Sequence, residues 1–155
     1  MCWSGGKDSA LALYKVLQGR AYEVKYLLTT VNEEFRRVSM HGVREELLDQ
    51  QVSRIGIPLV KIYVREGTNA EYEKKMEETL LKFKNEGIDH VIFGDIFLED
   101  LRRYREDKLS KIWMKGKFPI WKRDTTQLAK AFIDLGFKAV ITCIDSNVLD
   151  RRFVG

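Results

Sequence analysis

Apolar positions along this chain fall into two alternating patterns: short continuous runs, and stripes at helical spacing. Ala10, Leu11, Leu13, Tyr14 and Leu17 recur at the spacing of a helix face. Tyr26-Leu27-Leu28-Thr29-Thr30-Val31 is continuous and predicts a buried strand. Val43, Leu47, Leu48, Val52 and Ile55 mark one face of a helix that Gly56 and Pro58 bring to an end. Leu59-Val60-Lys61-Ile62-Tyr63-Val64 is the next strand. Tyr72, Met76, Leu80 and Phe83 then stripe a helix from about Asn69 to Glu86, closed by Gly87. Val91-Ile92-Phe93 begins another strand, cut off by Gly94-Asp95, and a charged helix follows from about Leu98 to Trp113. After a short piece, Phe118-Pro119-Ile120-Trp121, a helix carries Leu128, Phe132 and Leu135 on one side. Ala139-Val140-Ile141-Thr142-Cys143-Ile144 reads as the last strand.

Strands that are apolar on both faces and alternate with helices predict an α/β fold with a parallel sheet between helix layers. Counting Met1-Cys2-Trp3 as a very short first strand gives five strands. Only Pro58 and Pro119 occur, and no Ser/Gly-rich linker divides the chain, so the expectation is one domain over residues 1–155. The abrupt stop after the last predicted strand leaves open a carboxyl-terminal segment beyond Gly155.

Composition narrows the class. Apolar residues make up 45% and charged residues 32%, the balance of a soluble globular protein. No apolar run is long enough to span a bilayer and nothing at the start resembles a signal peptide. Cys2 and Cys143 lie far apart without metal-ligand spacing, so the reading is two reduced thiols in a cytoplasmic protein. The net charge of +4 arises from 27 basic and 23 acidic residues without a one-sign run. That suits a phosphate-bearing ligand and supplies no arm for nucleic acid.

The candidate chemistry opens the chain. In Ser4-Gly5-Gly6-Lys7-Asp8-Ser9, two glycines remove the Cβ atoms that would keep a ligand from the backbone. Successive N–H groups can then converge as an anion nest, reinforced by the positive end of the following helix. Ser4 and Ser9 add hydroxyls and Lys7 adds a cation. Asp8, a carboxylate beside an anion site, makes sense as a Mg²⁺ contact or as a helix cap. The run is neither a Walker loop nor a dinucleotide fingerprint.

This hexad resembles the PP-loop of the ATP pyrophosphatases, which cleave ATP between its α and β phosphates. Met40-His41-Gly42-Val43, Phe93-Gly94-Asp95-Ile96, Leu98-Glu99-Asp100-Leu101 with Arg105-Glu106, Phe118-Pro119-Ile120-Trp121 and Gly136-Phe137-Lys138-Ala139-Val140 extend the likeness. They follow the order of the diphthine–ammonia ligase family over essentially the whole chain, and residues 98–106 are similar to its bacterial relatives. The resemblance implies a HUP-type, Rossmann-like fold. It also implies a ligase that uses ATP and Mg²⁺ to adenylate a carboxylate and amidate it with ammonia. The acceptor is a small molecule or a modified protein side chain; the oligomeric state is left open. The runner-up readings are a tRNA-modifying PP-loop enzyme and an ATP-binding sensor without turnover.

The site this implies places ATP on Ser4, Gly5, Gly6, Lys7, Asp8, Ser9, Thr29, Thr30 and Gly94. Lys7, Asp8 and Asp95 are the catalytic candidates, with Asp8 and Asp95 as Mg²⁺ contacts. His41, Glu99, Asp100 and Arg105 are the acceptor candidates. Each has an ordinary alternative. Thr29 and Thr30 read equally as buried strand threonines bonded locally. For Asp95 the site reading is the stronger, with the N-cap of the next helix as its alternative or its companion, whereas His41 reads equally as a plain loop residue. The pairs Glu99–Arg103, Arg102–Glu106 and Arg103–Asp107 read as a solvated, self-paired helix face. Trp113, Lys115, Lys117, Trp121, Lys122 and Arg123 interleave rings with cations, a pattern of RNA binding that fits a snorkelling amphipathic edge better.

Overall fold

A computed structural model of the chain describes residues 1–65 and 69–155. It divides into two compact units, Met1–Lys122 and Arg123–Gly155. In the first, α1 (Lys7–Gly19) is followed by β1 (Leu27–Asn32), β2 (Arg37–Val38), α2 (Glu45–Ile55) and β3 (Leu59–Val64). Then come α3 (Asn69–Asn85), β4 (His90–Ile92), α4 (Glu99–Ser110) and β5 (Lys115–Lys117). The helix stops fall where the glycines predict: Gly56 adopts φ 76° and donates to the Val52 carbonyl, and Gly87 adopts φ 84°.

The strands form two hydrogen-bonded groups. One has the order β2-β1-β3, with β1 and β3 parallel in the register Leu27↔Leu59 through Asn32↔Val64 and β2 antiparallel to β1. The other is the parallel pair β4-β5. Residues 1–3 lie between them. The Leu28 N–H donates to the Met1 carbonyl and the Trp3 N–H to the Leu28 carbonyl, both at 2.8 Å, while the Cys2 N–H donates to the Ile92 carbonyl at 2.9 Å. The expected five-stranded parallel sheet is therefore not formed as predicted. Residues 1–3 make a single bridge, Cys2↔Leu28, rather than a ladder. Along this line of backbone the order is β3, β1, residues 1–3, β4, β5.

Helices cover both faces. Alternation along β1 turns Leu27 toward a core of Trp3, Leu13, Leu48 and Val52, and Leu28 toward one of Ile62, Leu80, Phe83, Val91, Phe93 and Leu109. Fully burying each such side chain contributes about 1.5–3 kcal/mol.

The carboxyl-proximal strand is a correction. The apolar run 139–144 forms no strand, and Val140 is 71% exposed. A strand exists only where an edge is open to pair with it, and no ladder involves this run among the described residues. The strand beside β4 is instead Lys115-Gly116-Lys117, whose polar composition hides it from any hydrophobic pattern. The second unit holds α5 (Thr125–Asp134), capped by Asp124, which accepts from the Gln127 N–H at 2.8 Å. Leu128 and Phe132 are buried as predicted, whereas Leu135 is exposed.

Candidate phosphate-binding site

The chain runs from residues 1–3 outward to β1 and β3, and only then returns to the other side for β4 and β5. The reversal falls at the carboxyl end of residues 1–3, where the Ser4–Ser9 turn begins. In open α/β sheets such a switch point leaves a crevice between diverging connections. A cavity of about 290 Å³ lined by Tyr22, Tyr26, Glu86, His90 and Met114 opens at the opposite, amino-terminal ends of the strands. It does not touch the turn.

The turn has the geometry of an anion nest. Gly5 sits at φ 76°, in the left-handed region that side chains disfavour, and Gly6 is extended at the N-cap of α1. No side chain caps α1 among the described residues, so its first-turn N–H groups lack a side-chain acceptor. The hydroxyls stay within the turn. Ser4 Oγ accepts from the Gly6 N–H at 3.2 Å and lies 3.2 Å from Ser9 Oγ, which donates to the Gly6 carbonyl at 2.8 Å. Lys7 and Asp8 pair at 2.7 Å, Lys7 exposed and Asp8 half-buried. Asp8 is thus no cap; it sits in the first turn, where its charge favours the helix dipole.

Neighbouring strands bring two further groups. The bridge at Cys2↔Leu28, with the Trp3 N–H on the Leu28 carbonyl, sets residues 1–3 beside the strand that carries Thr29 and Thr30. Thr29 is 4% exposed, and its Oγ1 is buried without a hydrogen-bond partner among the described residues. The local bond that would have made Thr29 ordinary is absent. Thr30 is half-buried, and its carbonyl accepts from the Ser39 N–H at 2.9 Å.

On the other side, Gly94 packs against α1 itself. A Cβ there would lie 3.0 Å from the Asp8 carbonyl carbon and the Ser9 nitrogen. Asp95 is not the N-cap of α4; that position is Leu98. Asp95 faces Arg105, with Oδ2 and Nε 3.0 Å apart but without the alignment of a hydrogen bond. Burial pushes the Asp95 carboxyl above its ordinary range, against the pull of the guanidinium. The Arg105 guanidinium also lies 4.3 Å over the Phe93 ring.

The remaining candidates are not gathered here. Glu99 pairs with Lys122 at 2.6 Å rather than with Arg103, and Asp100 projects fully into solvent. His41 is exposed on the turn between β2 and α2. Of the three expected helical pairs, Arg102–Glu106 forms at 2.9 Å. The ring-and-cation stretch divides: the Trp121 ring is covered by Arg102 at 4.8 Å and Lys117 lies over Tyr22, whereas Trp113 is 85% exposed. Among the described residues no group of three metal-ligating side chains exists.

One contact had no signal in the sequence. Gln51, a polar residue of an amphipathic helix, donates from Nε2 to the Gly5 carbonyl at 3.2 Å and accepts the Trp3 indole N–H at 3.0 Å. Among the described residues, no helix is long and apolar enough to cross a membrane.

A comparison with curated proteins finds no match. The family model of the diphthamide synthase N-terminal domain matches residues 1–115, which take in the switch point, the glycine turn and the Asp95–Arg105 pair. By that match the chain belongs to the diphthamide synthase N-terminal domain family, whose proteins are of the PP-loop ATP pyrophosphatase type.

Proposed function

We propose that this domain binds ATP on the Ser4–Ser9 turn and serves an amide-forming ligase of the diphthine–ammonia ligase kind, similar to its bacterial members, on a HUP-like fold. The observation that carries the reading is the turn itself: a left-handed Gly5, an uncapped helix N-terminus and two serine hydroxyls, set at the switch point of the strand order. The residues fit a polyphosphate. Among the described residues the first-turn amides of α1 have no side-chain cap, and the Thr29 hydroxyl is buried without a partner.

In this reading Ser4, Gly5, Gly6 and Ser9 hold the β- and γ-phosphates, and Lys7 leaves Asp8 to neutralise charge on the departing pyrophosphate. Mg²⁺, when bound, supplies Lewis-acid stabilisation of phosphate oxygens. Asp8, half-buried and paired with Lys7 at 2.7 Å, is the side chain that would hold it. Asp95 is held by Arg105, so we assign that pair to the acceptor side, where it orients the incoming carboxylate. The acceptor oxygen attacks the α-phosphorus and pyrophosphate leaves, giving an acyl-adenylate. Ammonia then attacks the acyl carbon and AMP departs.

The first test is calorimetric binding of an ATP analogue with a methylene between its α and β phosphates, with Mg²⁺, to wild type and Gly6→Val. Among the described residues a Cβ at Gly6 would have Ser4 Oγ at 3.4 Å, and its φ of −88° is ordinary, so the backbone admits a side chain there; circular dichroism establishes that the variant is folded. Binding by wild type and its loss in the folded variant is the expected result. Equal binding by both removes the phosphate loop from the site. Tight binding without AMP release at any carboxylate tried identifies a sensor instead.

A further inference from the structure

The Gly5 carbonyl and the Gly6 N–H belong to one planar peptide unit and point in opposite directions. Whatever fixes the carbonyl therefore fixes the N–H. That N–H is one of the nest donors, and in this structure it reaches Ser4 Oγ. Two adjacent glycines leave the unit free to rotate, so its orientation depends on the bonds at its two ends. Ser4 Oγ holds the N–H from within the turn, and the Gln51 carboxamide holds the carbonyl from α2.

Gln51 is itself held in one orientation. The Trp3 indole can only donate, so the Gln51 oxygen faces it and the amide nitrogen faces Gly5. Both supports are rigid. Trp3 is 3% exposed, and Leu48, one turn before Gln51 on α2, is fully buried. The fit is close enough that a Cβ on Gly5 would lie 3.1 Å from Gln51 Oε1 and 3.2 Å from Leu48 Cδ1. Gly5 is thus favoured by its φ, and a side chain there would oblige Gln51 and Leu48 of α2 to shift.

We infer that Gln51 is a positioning residue for the phosphate loop: by anchoring the Gly5 carbonyl to α2 it presents the Gly6 N–H to the bound phosphate. The ligand part of this inference rests on the ATP reading above; the peptide orientation does not.

Two variants separate the contacts. Gln51→Leu removes both hydrogen bonds. Gln51→Glu keeps an acceptor for Trp3 and replaces the donor to Gly5 with a charged oxygen that repels its carbonyl, so its affinity is read at high salt, and it carries the test should the leucine variant fail to fold. The Gly6 amide and Trp3 indole resonances are followed in ¹H–¹⁵N spectra of the ligand-free protein, and affinity for the methylene ATP analogue is measured alongside. The expected result is a displaced Gly6 amide in both variants, with the Trp3 indole displaced only by leucine. Affinity should fall roughly tenfold, the effect of one hydrogen bond. An unmoved Gly6 amide in both variants, or wild-type affinity in both, overturns the inference. If wild type binds no analogue, the ATP reading falls, and the Gly6 amide still decides whether Gln51 sets the peptide.

Discussion

A methyl group on Gly94 would sit 3.0 Å from two backbone atoms of the first turn of α1 and 3.1 Å from a third, the Asp8 carbonyl oxygen. Backbone cannot swing aside as a side chain can. Gly94→Ala should therefore push the turn away from β4 and cost about 1–3 kcal/mol through overpacking. A lowered urea midpoint with weakened binding of the methylene ATP analogue is expected; an unchanged midpoint would mean that the turn yields freely. The glycine was legible in the sequence, but what it admits was not. Its position after a buried strand reads as a place of close approach, and the structure adds that the first turn of α1 is what comes close. The Asp95–Arg105 pair shows the same limit, because two residues ten positions apart carry no sign that one will stack on Phe93 and face the other.

At the scale of elements, α2 is fastened to the β1–β3 pair by charge as well as by packing. Glu45, 5% exposed at the start of α2, receives Lys61 Nζ at 2.7 Å and the Tyr63 hydroxyl at 2.6 Å, with Arg36 Nε 2.8 Å away. Burial pushes the Glu45 carboxyl up, but the bonds from Lys61 and Tyr63 outweigh it and hold the group below its ordinary 4.5. The unfolded chain therefore binds this proton more readily. The stabilisation is complete above about pH 4.5 and is lost as pH falls through the lower folded value. Lys61→Met leaves the carboxylate buried with fewer partners and should cost on the order of 2 kcal/mol at neutral pH. Chemical denaturation at pH 7 and pH 4 checks both statements: the loss should shrink at the lower pH, and equal losses would refute the pairing. Gln51 lies on the same helix, so the element fastened here is the one that bonds the Gly5 carbonyl of the Ser4–Ser9 turn.

At the scale of the molecule, both core clusters and every residue of the candidate site lie within Met1–Lys122. The family match likewise ends at residue 115. A chain ending at Lys122 should thus unfold in urea in one cooperative step. A gradual, non-cooperative loss of structure would show that residues 123–155 are needed for the first unit to fold.

The sequence by itself determined what is local. Periodicity and glycine stops placed α1, α2 and α3 and the strands β1 and β3, because each is specified by neighbours within a turn or two. The Ser4–Ser9 turn was legible for the same reason: its glycines, hydroxyls and cation act on one another over six residues. Tertiary structure alone decided which strand edge found a partner, so that Lys115-Gly116-Lys117 pairs with β4 while the more apolar run 139–144 joins no ladder among the described residues. It also decided which charges meet, sending Glu99 to Lys122, Arg105 to Asp95 and Gln51 to Gly5. Such contacts depend on where the folded backbone carries distant side chains, and no spacing along the chain encodes that.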